Sequence, residues 1–246
     1  MTRSRIRRTA LLILAVLVAA VCVRLGFWQL ARLSDRRATN ARIEAGILRP
    51  VAPVDAVLAG PAQDAPYRRV TATGTYLLAG ELILYGRPLR SAPGDHVLTP
   101  LLLDGGDVLL VDRGWVPFEA DRTAPVRDGP PPDEPVRLEG VLLPPEEGAA
   151  FPEGVPGSTV RAIDIETIAA TTGLDLAPVY LLLQAQTPPQ AGDLPTPAML
   201  AARDEGPHLS YAIQWFSFAA IAIVGYVLLM RRDRGSRHGA DDGAMR

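Results

Sequence analysis

Two short stretches of this 246-residue chain carry residue types that can do more than pack: Arg24-Leu25-Gly26-Phe27-Trp28-Gln29-Leu30-Ala31-Arg32 near the start and His208-Leu209-Ser210-Tyr211-Ala212-Ile213-Gln214-Trp215 near the end. His208, Tyr211 and Trp215 stand at i, i+3 and i+7, so a helix lines them along one side, with Gln214 on the flank. Trp28 and Arg32 are i, i+4 neighbours, and Arg24 lies one turn before Trp28. If the two helices pack, an imidazole, indoles, a guanidinium and amides meet in one patch. An imidazole there can ligate a metal or a haem iron. A second reading stands beside that one. Trp and Tyr are enriched at membrane interfaces because their rings suit that layer, and Arg at a helix end reaches the headgroups with no further role. Gln29 and Gln214 fit the belt reading less well, since an amide in lipid needs a hydrogen-bond partner.

Both clusters sit on the rims of apolar spans. Leu209 to Met230 has no formal charge. Thr9 to Ala31 is long enough to cross a hydrocarbon core of about 30 Å if Arg24 snorkels. The arginine-rich segments 1–8 and 231–246 read as cytoplasmic tails. The intervening 32–207 then lies outside the membrane between transmembrane helices 9–31 and 208–230. A signal peptide is the competing reading of the first span, but no Ala-x-Ala site follows it, so an uncleaved anchor is expected. The expected address is a bacterial cell membrane, multi-pass, with both termini cytoplasmic.

The net charge of −2 and the absence of a basic run in the centre argue against nucleic acid as a partner. All 25 basic residues are arginine, a compositional bias with no mechanistic content. Cys22 is the one cysteine and lies in the first span, so the central region uses no disulfide and no thiolate metal site.

The centre reads as a mainly antiparallel β domain. Strands are expected over 67–76, 81–85, 96–103, 107–116, 136–143 and 178–184. Asp104-Gly105-Gly106 turns a hairpin, 164–172 is a short helix with Asp164 as N-cap, and the Pro-rich 51–66 and 186–207 are connectors. This is a small sheet or partial barrel with an open edge. The fold class is therefore an α+β membrane protein, two transmembrane helices flanking a mainly antiparallel β extracytoplasmic domain. Arg113 could pair with Asp95, Asp112 or a ligand carboxylate, and Gly86-Arg87 with Arg90 makes an anion site conceivable. His96 reads as a surface or turn residue. No nucleophile elbow, phosphate loop or zinc-protease motif occurs, and the chain is not expected to be an enzyme.

Taken in order, these segments resemble the Surfeit locus one family, the membrane assembly factors for cytochrome c oxidase. The resemblance rests on Leu25-Gly26-Phe27-Trp28-Gln29 with Arg32, Gly74-Thr75-Tyr76, Gly94 with Leu98-Thr99-Pro100-Leu101, Asp104-Gly105, Val111-Asp112-Arg113-Gly114-Trp115-Val116-Pro117, and His208 to Phe216. It implies a role in maturing the large haem-bearing subunit of a haem-a-containing oxidase: receiving haem a and helping to insert it, with the haem a synthesis machinery as a further partner. It also implies His208 as ligand to the haem iron, with Tyr211, Gln214, Trp215, Trp28 and Arg32 shaping the pocket. A haem also needs cations for its propionates, a role that Arg24, Arg32 or Arg203 could serve. The alternative is a haem-free accessory or scaffold subunit that stays with the mature oxidase.

Overall fold

A computed structural model describes residues 3–119, 122–127, 129–148, 151, 158–200 and 204–242; for 3–4 and 233–242 it describes the backbone only. The chain divides into a helical unit (1–40 and 203–246) and a sheet unit (41–202). Arg203 and most of the 149–157 segment lie outside the described residues.

The helical unit is built on α1 (Arg3–Ile47) and α4 (His208–Asp242), which are both longer than the spans expected from hydropathy. Each is long and apolar enough to cross a membrane. Polar Asp35 to Glu44 continues α1 without a break, and 231–242 continues α4; neither stretch contains a proline to stop the helix. The two helices run antiparallel: Gln29 of α1 meets His208 of α4, and Gly26 meets Phe216, so the number falls on one helix as it rises on the other. The buried residues of α1 in this stretch are Cys22, Gly26 and Leu33, and those of α4 are Ala212 and Ala219. Small residues at the seam let the backbones approach, which is how helices associate when lipid offers no hydrophobic drive.

The sheet unit is mixed α/β and dominated by one sheet. Its elements are β1 (Ala52–Pro53), α2 (Val54–Leu58), β2 (Arg69–Tyr76), β3 (Leu82–Leu84), β4 (Gly94–Leu103), β5 (Val108–Pro117), β6 (Val136–Leu143), β7 (Thr159–Val160), α3 (Ile165–Thr172) and β8 (Leu176–Thr187). The strand order is β1-β2-β6-β8-β5-β4-β3-β7, with a further pairing of β2 to β4. That pairing closes β2, β6, β8, β5 and β4 into a ring, where the sequence suggests an open edge. Closure needs Gly74. It faces Leu103 across the seam, and a Cβ on it would collide with the Leu102 carbonyl oxygen.

Most pairings are antiparallel, but β5–β8, β1–β2 and β3–β7 are parallel. Alternate residues point into the ring: Val70, Ala72 and Tyr76 from β2, Leu101 and Leu103 from β4, Leu109 and Val111 from β5, and Leu138, Leu142, Leu181 and Leu183 from β6 and β8. Val54 and Val57 of α2 join this core. The outer face of β4, β5 and β8 is covered by Ile165 and Ile168 of α3 together with Leu82 and Leu84, which bury Leu98, Leu110 and Tyr180. Strand β5 is thus covered on both faces, which explains its unbroken Val-Leu-Leu-Val run. Asp164 caps α3 by accepting the Thr167 amide at 3.2 Å, and Gly173 ends it in the left-handed region (φ 70°).

Candidate functional site

The site starts from the first turn of α4. Asp204 accepts the Gly206 N–H at 2.8 Å, Gly206 takes a left-handed φ of 68°, and Pro207 accepts from the Tyr211 amide and the Ser210 hydroxyl. Glu205 receives a two-pronged bond from Arg37 of α1, at 3.0 and 2.8 Å, which fixes this entry segment against the neighbouring helix. His208 follows, and its Nδ1 lies 2.8 Å from Gln29 Oε1. An amide oxygen accepts, so this contact calls for an Nδ1–H on the ring, and in a neutral imidazole so bonded the lone pair is on Nε2. A Cβ at Gly206 would stand 3.3 and 3.4 Å from His208 Cδ2 and Nε2, so glycine leaves that edge of the ring uncrowded.

The positions of the remaining candidates follow from helix geometry. Going round α1 from its buried stripe, Gln29 comes first, at the border of the contact. Arg32 follows about a quarter of the way round and Trp28 lies well beyond it, towards the face opposite the stripe, all in one rotational sense. Going round α4 from its buried stripe, His208 comes first, then Trp215, then Tyr211 and last Gln214, which is almost opposite the stripe; the sense of rotation is the same. In an antiparallel pair, equal senses emerge on the same flank. The opposite flank is marked by Phe27 and Phe216, whose rings meet edge-to-face at 5.4 Å.

The sequence leads one to expect the imidazole to face the partner helix's indole and guanidinium. The residue it meets there is the amide of Gln29. Trp28, half exposed, stacks instead under its own helix neighbour Arg32, with the guanidinium carbon 5.7 Å from the ring centroid. Tyr211 and Gln214 are exposed. Trp215 is partly buried against Phe218, with centroids 5.9 Å apart. Arg24 lies roughly opposite the buried stripe, one turn before Trp28 and on neighbouring surface. A shallow cavity on α1 is lined by Arg24, Leu25, Phe27 and Trp28.

In the sheet unit, Arg113 continues the inward row of Leu109 and Val111 and is fully buried. Its partner is none of those expected from sequence. It is Glu81, at 3.3 Å, which also accepts from the Thr99 hydroxyl (2.7 Å) and the Val126 amide (2.6 Å). Arg113 further donates to the Gly129 carbonyl and to Gln190, and lies over the Tyr76 ring at 5.6 Å. Burial pulls the Arg113 pKa down, while Glu81 and Tyr76 act the other way. Burial also drives the Tyr76 phenol upward, so it stays protonated and donates to Gln186. Sequence reading misses Glu81 because its partners lie 18, 32 and 45 residues away, beyond any local pattern.

His96, which the sequence marks as a surface or turn residue, is largely buried and bonded through Nδ1 to Asp112 at 2.8 Å. Arg87 is matched by Glu146. Asp95 is buried and accepts from the Gly86 amide, and its burial raises its carboxyl pKa. The arginines behind the conceivable anion site, Arg90 excepted, therefore already have carboxylate partners. Among the described residues no group of three or more His, Cys, Asp or Glu gathers to hold a metal ion.

The chain matches the model of the SURF1 family over residues 16–220. It is 34% identical to a SURF1-like protein of Monosiga brevicollis over 238 residues, covering 90% of this chain and 88% of that protein. An uncharacterized SURF1-like protein of Mycobacterium tuberculosis is 33% identical over 207 residues, 80% of this chain and 73% of that protein. A SURF1-like protein of Rickettsia bellii is 29% identical over 219 residues, 86% and 87% of the two chains.

Proposed function

The chain belongs to the SURF1 family, known as cytochrome oxidase assembly factors, and from that membership we propose that it is a non-enzymatic, membrane-held assembly factor that receives haem a and passes it to the large haem-bearing subunit of a haem-a-containing oxidase. The haem is cargo here, and its iron needs an axial ligand, an apolar slot and cations for its propionates.

The observation that carries the reading is the state of His208. Its Nδ1 is committed to Gln29, so the nitrogen available to an iron is Nε2, on the edge that Gly206 leaves uncrowded. The surroundings fit the group. Tyr211, Trp215 and Arg32 border one flank of two apolar helices, where a flat macrocycle finds apolar walls, and Trp28 stacks beneath Arg32 further round α1. Arg32 supplies a cation on that flank. A single protein ligand suits a carrier, because one bond must break for release. On the orientation set by the flanking arginines, both termini are cytoplasmic and the sheet unit lies outside.

The reading is tested in a strain lacking the gene, complemented with the native chain or with His208→Ala. The native chain is expected to restore the haem a content of the purified oxidase, with subunit transcripts unchanged throughout. His208→Ala, present at equal level in the membrane, is expected to restore less than about a tenth of it, the low end of what losing a metal-site partner costs. Full restoration by His208→Ala would remove the ligand role, and normal oxidase in the uncomplemented strain would remove the assembly role.

A further inference from the structure

We propose that Gln29 is a positioning residue for His208: its amide oxygen holds the imidazole in the Nδ1–H tautomer, with the lone pair on Nε2, at the ring edge beside Gly206. The inference deepens the function given above and rests on His208 being the iron ligand.

The contact is local and directional. A neutral imidazole has one N–H, and which nitrogen carries it is set by the hydrogen bonds its neighbours offer. Gln29 Oε1 stands 2.8 Å from Nδ1 and offers only acceptance. Histidines that ligate a metal through one nitrogen commonly anchor the other in this way, which orients the ring and raises its basicity.

Two further features bear on where the ring sits. The Arg37–Glu205 bond ties the segment entering α4 to α1, about two turns along from Gln29, so the imidazole and its acceptor keep their register. Gly206 sits at φ 68° facing the ring edge, where any side chain would crowd Cδ2 and Nε2. The buried stripe also explains why Gln29, and not Gln214, makes this contact. Gln29 lies at the border of the helix contact, and Gln214 lies almost on the far side of its helix.

The test uses the full chain in detergent with nitrogen-15-labelled histidine, the His208 signal being assigned by its loss in His208→Ala. In the haem-free native protein His208 is expected in the Nδ1–H form. Gln29→Leu should return it to the tautomer mixture of free imidazole, and Gln29→Glu, which keeps an acceptor, should restore Nδ1–H. Titration with haemin is then expected to show binding weakened about 10–100-fold by Gln29→Leu and recovered in Gln29→Glu. The glutamate variant should also move the bound iron to a lower midpoint potential than the native protein. An unchanged His208 tautomer in Gln29→Leu overturns the positioning role. Unchanged haemin affinity in His208→Ala overturns the ligand role instead, so the two failures are told apart.

Discussion

Glu81 and Arg113 are both fully buried in their side chains, Arg113 at the end of the apolar inward row of β5. An ion pair in that setting adds little net stability over a well-packed apolar pair, yet removing one member strands the other. Arg113→Met leaves Glu81 with the Thr99 hydroxyl and the Val126 amide but no counter-charge. The expected cost is about 3–5 kcal/mol. It is read from denaturant unfolding followed by tryptophan fluorescence, Trp115 lying just beyond Arg113 in β5. The double variant Glu81→Gln with Arg113→Met should recover most of that loss. Arg113→Met as stable as the native chain would mean that the pair is not the linchpin its burial implies. At the same scale, the sequence could name His208 as a candidate ligand and Gln29 as an amide in need of a partner. It could not join the two, because the contact depends on which side of each helix is buried, and spacing alone does not reveal that. Trp28 shows the same gap: its type fits the pocket, but it stacks on Arg32 of its own helix.

The elements were legible in proportion to how local their signals are. The β4–β5 hairpin follows from Asp104-Gly105-Gly106 between apolar runs, and α3 follows from the Asp164 cap. The two-residue strands β1 and β7 carry no periodicity to read, and they pair parallel to their neighbours. The parallel β5–β8 pairing and the β2–β4 closure join segments distant in sequence, so no turn chemistry announces them. The helix pair depends on a comparably hidden feature. An added Cβ on Gly26 would lie 2.7 Å from two ring atoms of Phe216. A phenyl ring can turn aside for a methyl but not for an isobutyl group, so Gly26→Leu should push α1 and α4 apart. Overpacking of this kind costs about 1–3 kcal/mol, which corresponds to a roughly 5- to 150-fold drop in haem retention if the pocket depends on the contact. Adding Phe216→Ala to Gly26→Leu should restore retention. No drop in the single variant, or no recovery in the double, would separate the cargo site from the helix seam.

At the scale of the whole molecule, the chain divides its labour between two units of different physics. The sheet unit is held by a closed ring with a second core under α3, and its arginines at 87 and 113 are matched by carboxylates. The helical unit holds its two apolar segments together through small residues and places the polar cross-helix bond from His208 at the rim. The function proposed above calls for a shallow site with one breakable bond to the cargo, and that proposal rests on the helical unit. The most direct measurement is the visible absorption spectrum of the full chain purified from cells that make haem a, native beside His208→Ala. The account predicts a bound haem in the native protein, with most of that absorbance lost in the variant. A colourless native protein that co-purifies one-to-one with the finished oxidase, or a haem spectrum untouched by His208→Ala, would contradict it.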